Sequence, residues 1–151
     1  MPTDISSDII YLSSENRTEK IANKILKKLK IGDVVFLYGE MGVGKTTFVK
    51  YLINGFQKKN KSDQTEVTSP TFSLLNEYQI DQTKVNHYDL FRLKSEEELK
   101  NLDVFADTSS TITLIEWPEI IKKKPKNLIE LIFQYEDDHK RRSAQIIGLN
   151  L

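Results

Sequence analysis

The segment 39–46 constrains the fold of this chain more than any other part of the sequence. It reads Gly-Glu-Met-Gly-Val-Gly-Lys-Thr and satisfies the pattern G-x-x-x-x-G-K-[ST] of a phosphate-binding loop, or P-loop. The apolar run 34–38 leads directly into it, as is typical of a strand buried on both faces of a parallel sheet. Residues 46–56 then show the apolar spacing of a helix. The pattern therefore predicts a strand, a P-loop and a helix in succession.

The residue types in this loop suit the binding of nucleotide phosphates. Glycines let the backbone curl until successive N–H groups converge on phosphate oxygens, and the following helix points its positive end at the same anions. Lys45 supplies a positive charge to the β- and γ-phosphates, and the Thr46 hydroxyl is an oxygen ligand that suits magnesium. The predicted nucleotide-binding residues are Glu40, Met41, Gly42, Val43, Gly44, Lys45, Thr46 and Thr47.

The remaining pattern predicts an α/β fold. A helix is expected from Asn16, with Glu19 completing a capping box and Gly32 just past the helix end. A shorter helix begins after Ser95 and buries two leucines, Leu99 and Leu102. Further strands are expected at 9–12, 72–80, 84–90 and 112–115, with a closing hairpin of 128–135 and 143–149. The prediction is a single P-loop NTPase domain over residues 1–151, with a mixed, mainly parallel central sheet flanked by helices and a C-terminal antiparallel hairpin.

Composition excludes several other classes of protein. Acidic and basic residues number 22 each, so no long-range field draws the chain to nucleic acid or to an anionic membrane. The absence of cysteine excludes disulfides and thiolate metal sites and favours an intracellular compartment. No apolar run approaches the roughly 20 residues of a membrane span, and residues 1–8 lack the regions of a secretion signal. We therefore expect a cytoplasmic protein that does not bind membranes.

Two carboxylates at predicted strand ends are candidates for magnesium binding and catalysis. Glu116 follows the apolar run 112–115, and Asp89 follows the less apolar strand that includes residues 85–88. The carboxyl ends of parallel strands are where α/β sheets bind ligands, and phosphoryl transfer uses a carboxylate to hold magnesium or its water. The alternative for each is a solvated acid that ends a strand. The predicted metal ligands are Thr46, Asp89 and Glu116.

The hydroxyl-rich segment 67–72 follows a polar stretch, 57–66, which we interpret as a mobile surface loop. The segment could act as a switch that places Thr68 near magnesium or the γ-phosphate. It could equally be a turn fixed by Pro70 and capped by its hydroxyls. We interpret His87 and Trp117 as structural residues. The predicted catalytic residues are Lys45, Thr68, Asp89 and Glu116.

The expected nucleotide is ATP. Residues 60–63 match the N-K-x-D pattern by which GTPases recognise guanine, but they lie in the polar stretch and no apolar strand leads into them. The D-x-x-G pattern of GTPases is also absent from the sequence. We therefore interpret the match as chance.

Four blocks in this order resemble the TsaE family, also called YjeE: the P-loop, residues 68–72, residues 87–93 and residues 115–119. Members of that family are small bacterial ATPases required for threonylcarbamoyladenosine modification of tRNA. The resemblance implies a single P-loop domain with weak ATP hydrolysis that is stimulated by the TsaD and TsaB proteins. In that family the partners carry out threonylcarbamoyl transfer, and this subunit would use ATP to reset the complex. The subunit would contact tRNA only indirectly, through the complex.

By matching position, the resemblance implies roles for individual residues. Lys45 and Thr46 would bind phosphate and magnesium, Asp89 and Glu116 would serve magnesium and water activation, and Thr68 would belong to the switch. Trp117 is also a family position. The chain departs from the family's usual Asp, Leu, Ala and Tyr at four positions, and we expect the mechanism to be preserved: Glu40, Met41, Val43 and Phe91.

Two other functions are compatible with a P-loop. In a nucleotide-gated binding module, bound ATP would only shape a partner surface. A small-molecule kinase is disfavoured because the chain has few arginines and no arginine-rich lid to neutralise a transferring phosphoryl group. The sequence leaves open the adenine contacts, the oligomeric state and the division of roles between Asp89 and Glu116.

Overall fold

The computed structural model describes residues 9–106 and 108–151, and residues 1–8 lie outside this range. Seven strands and three helices form in the described part of the chain. The strands are β1 Ile9–Tyr11, β2 Val34–Tyr38, β3 Leu75–Ile80, β4 Thr83–Asp89, β5 Thr111–Glu116, β6 Leu128–Glu136 and β7 Arg141–Ile147. The helices are α1 Glu15–Leu26, α2 Lys45–Lys59 and α3 Glu96–Leu102, with single helical turns at Thr108–Ser110 and Pro118–Ile120.

All seven strands join one mixed sheet in the order β1-β7-β6-β2-β5-β4-β3. The central strands β6, β2, β5 and β4 run parallel, and antiparallel pairs extend the sheet on both sides. This arrangement confirms the predicted α/β fold and its C-terminal hairpin. Parallel strands end at one common edge, so the P-loop after β2 lies beside the last residues of β4 and β5, Asp89 and Glu116.

The side chains of β2 alternate between two apolar clusters, one on each face of the sheet. Val35 and Leu37 pack on the face that α1 and α2 cover, and Val34 and Phe36 pack on the opposite face. All four are at most 1% exposed, which explains why the strand is an unbroken apolar run. Helix α2 packs on the sheet through four buried apolar residues: Phe48, Val49, Leu52 and Ile53.

Helix α1 begins at Glu15, and the predicted capping box at Asn16 is wrong. The hydroxyl of Ser14 accepts a hydrogen bond from the N–H of Arg17 at 3.2 Å, so Ser14 is the N-cap. The helix also ends at Leu26, earlier than predicted. Gly32 lies in a separate turn, where its N–H donates to the carbonyl of Thr111 at 2.8 Å.

Strand β3 begins at Leu75, three residues later than predicted from Phe72. Leu74 adopts a positive φ of 70°, and its N–H donates to the carbonyl of Pro70 at 2.7 Å. This hydrogen bond closes a turn that holds Phe72 out of the sheet. The other predicted strands differ from the observed bounds by one or two residues.

The polar stretch 57–66 is not the free loop that its composition indicated. Helix α2 continues through Lys59, and Gln57 is buried. The side chain of Gln57 donates to the hydroxyl of Thr65 at 3.0 Å and accepts from the N–H of Thr65 at 3.2 Å. The carbonyl of Gln57 also accepts from the N–H of Ser62 at 2.8 Å. The hydrogen bonds of the buried Gln57 thus hold the stretch that leads into the segment 67–74.

Helix α3 confirms the predicted start, since the hydroxyl of Ser95 accepts from the N–H of Glu98 at 3.2 Å. Its leucines Leu99 and Leu102 are half-buried against the second apolar cluster. Within residues 9–106 and 108–151, no helix has both the length and the apolar character needed to cross a membrane.

Candidate nucleotide site

A cavity of about 230 Å³ lies at the carboxyl ends of β2, β4 and β5. The P-loop and the first residues of α2 form one wall, and Asp89, Glu116 and Trp117 form another. Ser69 and Thr71 close a third side. The cavity therefore gathers most of the predicted site residues from three separate parts of the chain.

The P-loop has the shape of a cradle for an anion. Gly44 caps α2 with a φ of 116° and without any side-chain hydrogen bond to the helix end, so the first N–H groups of α2 face the cavity. Gly39 has a φ of 147°, and a Cβ there would lie 2.8 Å from a Val43 methyl carbon and 3.0 Å from the Phe133 carbonyl oxygen. Larger residues at these positions would therefore push the loop out of shape.

Lys45 is 4% exposed and lies inside the cavity. Its ammonium group donates to the carbonyl of Gly39 and lies 3.7 Å from the centre of the Trp117 ring, a cation–π contact. Burial lowers the pKa of Lys45, whereas the nearby carboxylates, led by Glu116, act to raise it. The amine is therefore held in a partly desolvated place where an anionic ligand would be strongly attracted.

Trp117 owes this position to an unfavourable backbone conformation. Its φ is 57°, in the left-handed region that disfavours a large side chain. The N–H of Trp117 donates to the carbonyl of Leu37 at 3.3 Å, which ties the turn to β2. The ring also lies 4.8 Å from that of Phe91, measured between centroids. Trp117 therefore forms one side of the site, beyond the structural role expected of it.

Glu116 is joined to both α2 and β4. Its two carboxylate oxygens each lie 3.1 Å from the hydroxyl oxygen of Thr46. Oε2 also lies 2.6 Å from Nε2 of His87. Glu116 is 2% exposed and His87 is 0% exposed, so this contact is shielded from water.

Asp89 is joined to the segment 67–74 instead. Its Oδ2 accepts hydrogen bonds from the hydroxyls of Ser69 at 2.8 Å and Thr71 at 3.1 Å. Its Oδ1 accepts from the N–H of Phe91 at 3.0 Å. Asp89 is itself 3% exposed, so all of these partners satisfy a buried carboxylate.

The donor set fits magnesium bound together with phosphate. Asp89 and Glu116 are register partners on adjacent parallel strands, and Thr46 adds a hydroxyl oxygen. Across the part of the chain that the structure describes, no three histidine or carboxylate side chains gather as a metal site. Magnesium is usually held by one or two carboxylates plus substrate phosphates and waters, which matches a site with two carboxylates beside a P-loop.

Some predicted residues lie at the edge of the cavity or outside it. Thr68 is exposed and does not line it, and its carbonyl accepts from the side chain of Asn76 at 3.2 Å. Glu40 points towards His139, with 3.7 Å between Oε2 and Nε2. Val43 buries its side chain in the core, and Met41 lines the cavity while 65% exposed.

Sequence reasoning missed His87 and the separate roles of Ser69 and Thr71. Strand periodicity was a usable signal for His87, because residues two apart on a strand share a face and His87 lies two before Asp89. No local signal distinguished Ser69 and Thr71 from Thr68, since all three are hydroxyls in one irregular segment.

A second cavity of about 230 Å³ adjoins the other side of the P-loop and shares Gly44 and Thr47 with the first. The start of α1 borders it through Ser14 and Glu15, and the start of β7 borders it through Arg142. The N-terminal end of α2 therefore has a recess on each side.

Known proteins resemble this chain over most of its length. A family model described as threonylcarbamoyl adenosine biosynthesis protein TsaE matches residues 12–144. A tRNA threonylcarbamoyladenosine biosynthesis protein TsaE from Rickettsia bellii is 42% identical over 131 residues, covering 86% of this chain and 88% of that protein. One of the same name from Aquifex aeolicus is 38% identical over 133 residues, covering 88% and 91%.

The fold also has a solved counterpart. The crystal structure of Bacillus subtilis YdiB superposes with a TM-score of 0.70 at 22% identity, covering 98% of this chain and 90% of that one. The family match includes the P-loop and both strand-end carboxylates, so the chain belongs to the TsaE family.

Proposed function

We propose that this protein is an ATP-hydrolysing subunit of the bacterial machinery that makes threonylcarbamoyladenosine in tRNA. One observation carries the enzymatic part: Lys45 and Thr46, at the start of α2, face two buried carboxylates at the ends of adjacent strands. The names of the relatives, tRNA threonylcarbamoyladenosine biosynthesis proteins, support the pathway.

The nucleotide phosphates bind along the P-loop in this proposal. The uncapped end of α2 offers N–H donors, and Lys45 exchanges its contact with the Gly39 carbonyl for a phosphate oxygen. The partly desolvated position of Lys45 supports this exchange, because an anion restores the electrostatic stabilisation that burial removes.

Thr46, Asp89 and Glu116 would hold magnesium. When bound, the metal supplies positive charge to the phosphate oxygens. The hydroxyl of Thr46, which contacts Glu116 in this structure, would be one of the metal's oxygen ligands. Glu116 then has a carboxylate oxygen available to accept a proton from, or to orient, a water at the terminal phosphate.

The second cavity is the place we propose for the nucleoside. It meets the first cavity at Gly44 and Thr47, so a nucleotide with its phosphates on the P-loop can extend into it. The cavity is rich in polar groups, with Ser14 and Glu15 on one side and Arg142 on the other. Such groups suit ribose hydroxyls and ring nitrogens.

TsaD-like and TsaB-like proteins are the proposed partners, and tRNA is met only through them. Large apolar side chains stand exposed close to the cavity, which supports a protein surface covering it: Phe72 is 83% exposed, Met41 65% and Phe91 47%. A partner placed there would exclude water from the nucleotide, which accounts for weak turnover alone and stimulation in the complex.

The test is ATP hydrolysis by the purified protein, alone and with its cognate TsaD and TsaB. We expect stimulation by the partners that Lys45→Ala removes and Lys58→Ala, a change of an exposed lysine on the same helix, preserves. ATP binding without phosphate release at any partner ratio would contradict hydrolysis and favour the nucleotide-gated module. A phosphorylated small-molecule product would favour a kinase.

A further inference from the structure

His87 is a buried polar residue whose contacts converge on the site. It lies in β4, is 0% exposed, and its Nε2 is 2.6 Å from Oε2 of Glu116. Its other ring nitrogen, Nδ1, is buried and has no hydrogen-bond partner. A leucine would fill this place without leaving a buried polar atom unsatisfied, and an unsatisfied atom destabilises the fold. Packing alone therefore does not explain the histidine.

The geometry indicates which nitrogen carries the proton. Nε2 lies 2.6 Å from a carboxylate oxygen, which is a hydrogen-bond acceptor, so Nε2 is the nitrogen placed to donate to Oε2. Nδ1 has no acceptor to receive a proton, and an unpaired lone pair is tolerated more readily than an unpaired N–H. The tautomer with its proton on Nε2 is therefore the one that the surroundings stabilise.

This bond leaves the two oxygens of Glu116 in different situations. Both oxygens lie 3.1 Å from the hydroxyl oxygen of Thr46, but only Oε2 also contacts His87. A carboxylate anchored through one oxygen cannot rotate freely about its terminal bond. Its other oxygen then keeps a constant direction.

We propose that His87 is a positioning residue, whose Nε2–H anchors the Glu116 carboxylate through Oε2 and thereby sets the direction of Oε1. The proposal rests on the proposed function of Glu116. His87 is not among the residues that line the cavity, and it acts through Glu116. Groups that orient a ligand or base in this way affect metal affinity or activity by about 10- to 100-fold.

The test compares side chains that keep or lose the donor. Glutamine places an N–H₂ where histidine has Nε2, and methionine has the same length without a donor. We expect His87→Gln to keep kcat within about threefold of the wild type and His87→Met to lower it by about 10- to 100-fold. The KM for ATP should change little in either variant, since neither alters the P-loop.

A second readout does not depend on turnover. Trp117 is the sole tryptophan of the sequence and lies over Lys45, so its fluorescence reports nucleotide binding. We expect His87→Met to raise by about tenfold the magnesium concentration that half-maximally tightens ATP binding, and His87→Gln to leave it unchanged. Thermal unfolding of each variant shows whether the compared proteins are folded. If His87→Met does not fold, His87→Asn replaces it, because the shorter asparagine amide does not reach Glu116.

Three outcomes would overturn the positioning role. Equal losses in the glutamine and methionine variants would show that only the ring matters. No loss in either would show that the contact is dispensable. An undiminished effect of His87→Met in a Glu116→Gln background would show that His87 does not act through Glu116. Failure of the wild type to hydrolyse ATP would instead count against the proposed function, and the magnesium readout would still decide the role of His87.

Discussion

The two strand-end carboxylates are equally buried but are held by different kinds of structure. Glu116 is joined to His87 in β4 and to Thr46 in α2, both parts of regular elements. Asp89 is joined to Ser69 and Thr71, which lie outside any strand or helix. The exposed fractions are 2% for Glu116 and 3% for Asp89, so burial does not distinguish them.

Because of this difference, Glu116 is held by regular structure, whereas the position of Asp89 is coupled to an irregular segment. The partners of Glu116 are fixed by the sheet and by a packed helix, so its position changes little unless the core does. The hydroxyls that hold Asp89 belong to an irregular segment, so a group that competes for Asp89 would remove two hydrogen bonds from that segment. We therefore expect Glu116 to serve catalysis and Asp89 to connect the nucleotide site with the segment 67–74.

The largest expected effect comes from Lys45, which faces both carboxylates. Lys45→Ala removes a charge-assisted contact with phosphate worth about 3 kcal/mol, so ATP affinity should fall by about 100-fold or more. Titration calorimetry measures this loss, with Lys58→Ala as the control on the same helix. If Lys45→Ala kept its affinity for ATP, the phosphates would bind elsewhere. The two carboxylates would then no longer be expected to act on the nucleotide.

Glu116→Gln should separate binding from hydrolysis. Turnover in the presence of partners should fall by about 100-fold or more, because the amide cannot accept a proton from water, whereas ATP affinity should stay within a few fold. Stopped assays of phosphate release and calorimetry measure the two quantities. Turnover close to that of the wild type would show that Asp89 has the catalytic role assigned here to Glu116.

Asp89→Asn should loosen the segment 67–74. An amide in place of the carboxylate cannot accept from all of Ser69, Thr71 and the Phe91 N–H, and we expect a loss of about 1 to 3 kcal/mol in the free energy of unfolding. Hydrogen exchange followed by mass spectrometry should show faster exchange in this segment. Glu116→Gln is the matched comparison, and equal loosening in both variants would refute the distinction between the two carboxylates.

The smallest effects are expected from the hydroxyls themselves. Ser69→Ala and Thr71→Val each remove one hydrogen bond to Oδ2 of Asp89, and each should cost about 0.5 to 1.5 kcal/mol in urea unfolding. The double variant should lose more than the sum, because each single change leaves Oδ2 one of the two hydroxyl donors and the double change leaves it neither. Ser73→Ala, at an exposed position in the same segment, is the control. Full additivity would mean that the two bonds form independently.

Much of the site was predictable because its signals are local. The P-loop motif, the apolar run before it and the strand-end positions of Asp89 and Glu116 all follow from short-range patterns. The turn that excludes Phe72 from β3 was not predictable, since it depends on a positive φ at Leu74. The sequence predicts Gln57 to lie in a surface loop, because composition does not show that its side-chain amide forms two hydrogen bonds with Thr65.

The sequence alone determined the α/β class, the P-loop and the carboxylates at the site, because these follow from the periodicity of apolar residues and from one eight-residue motif. Tertiary structure alone decided how those carboxylates are used. Strand order brings β4 beside β5 and thereby places His87 against Glu116. The turn after Pro70 brings Ser69 and Thr71 to Asp89. Hydrogen bonds between residues 18 to 70 positions apart depend on the folded backbone and leave no pattern in the local sequence.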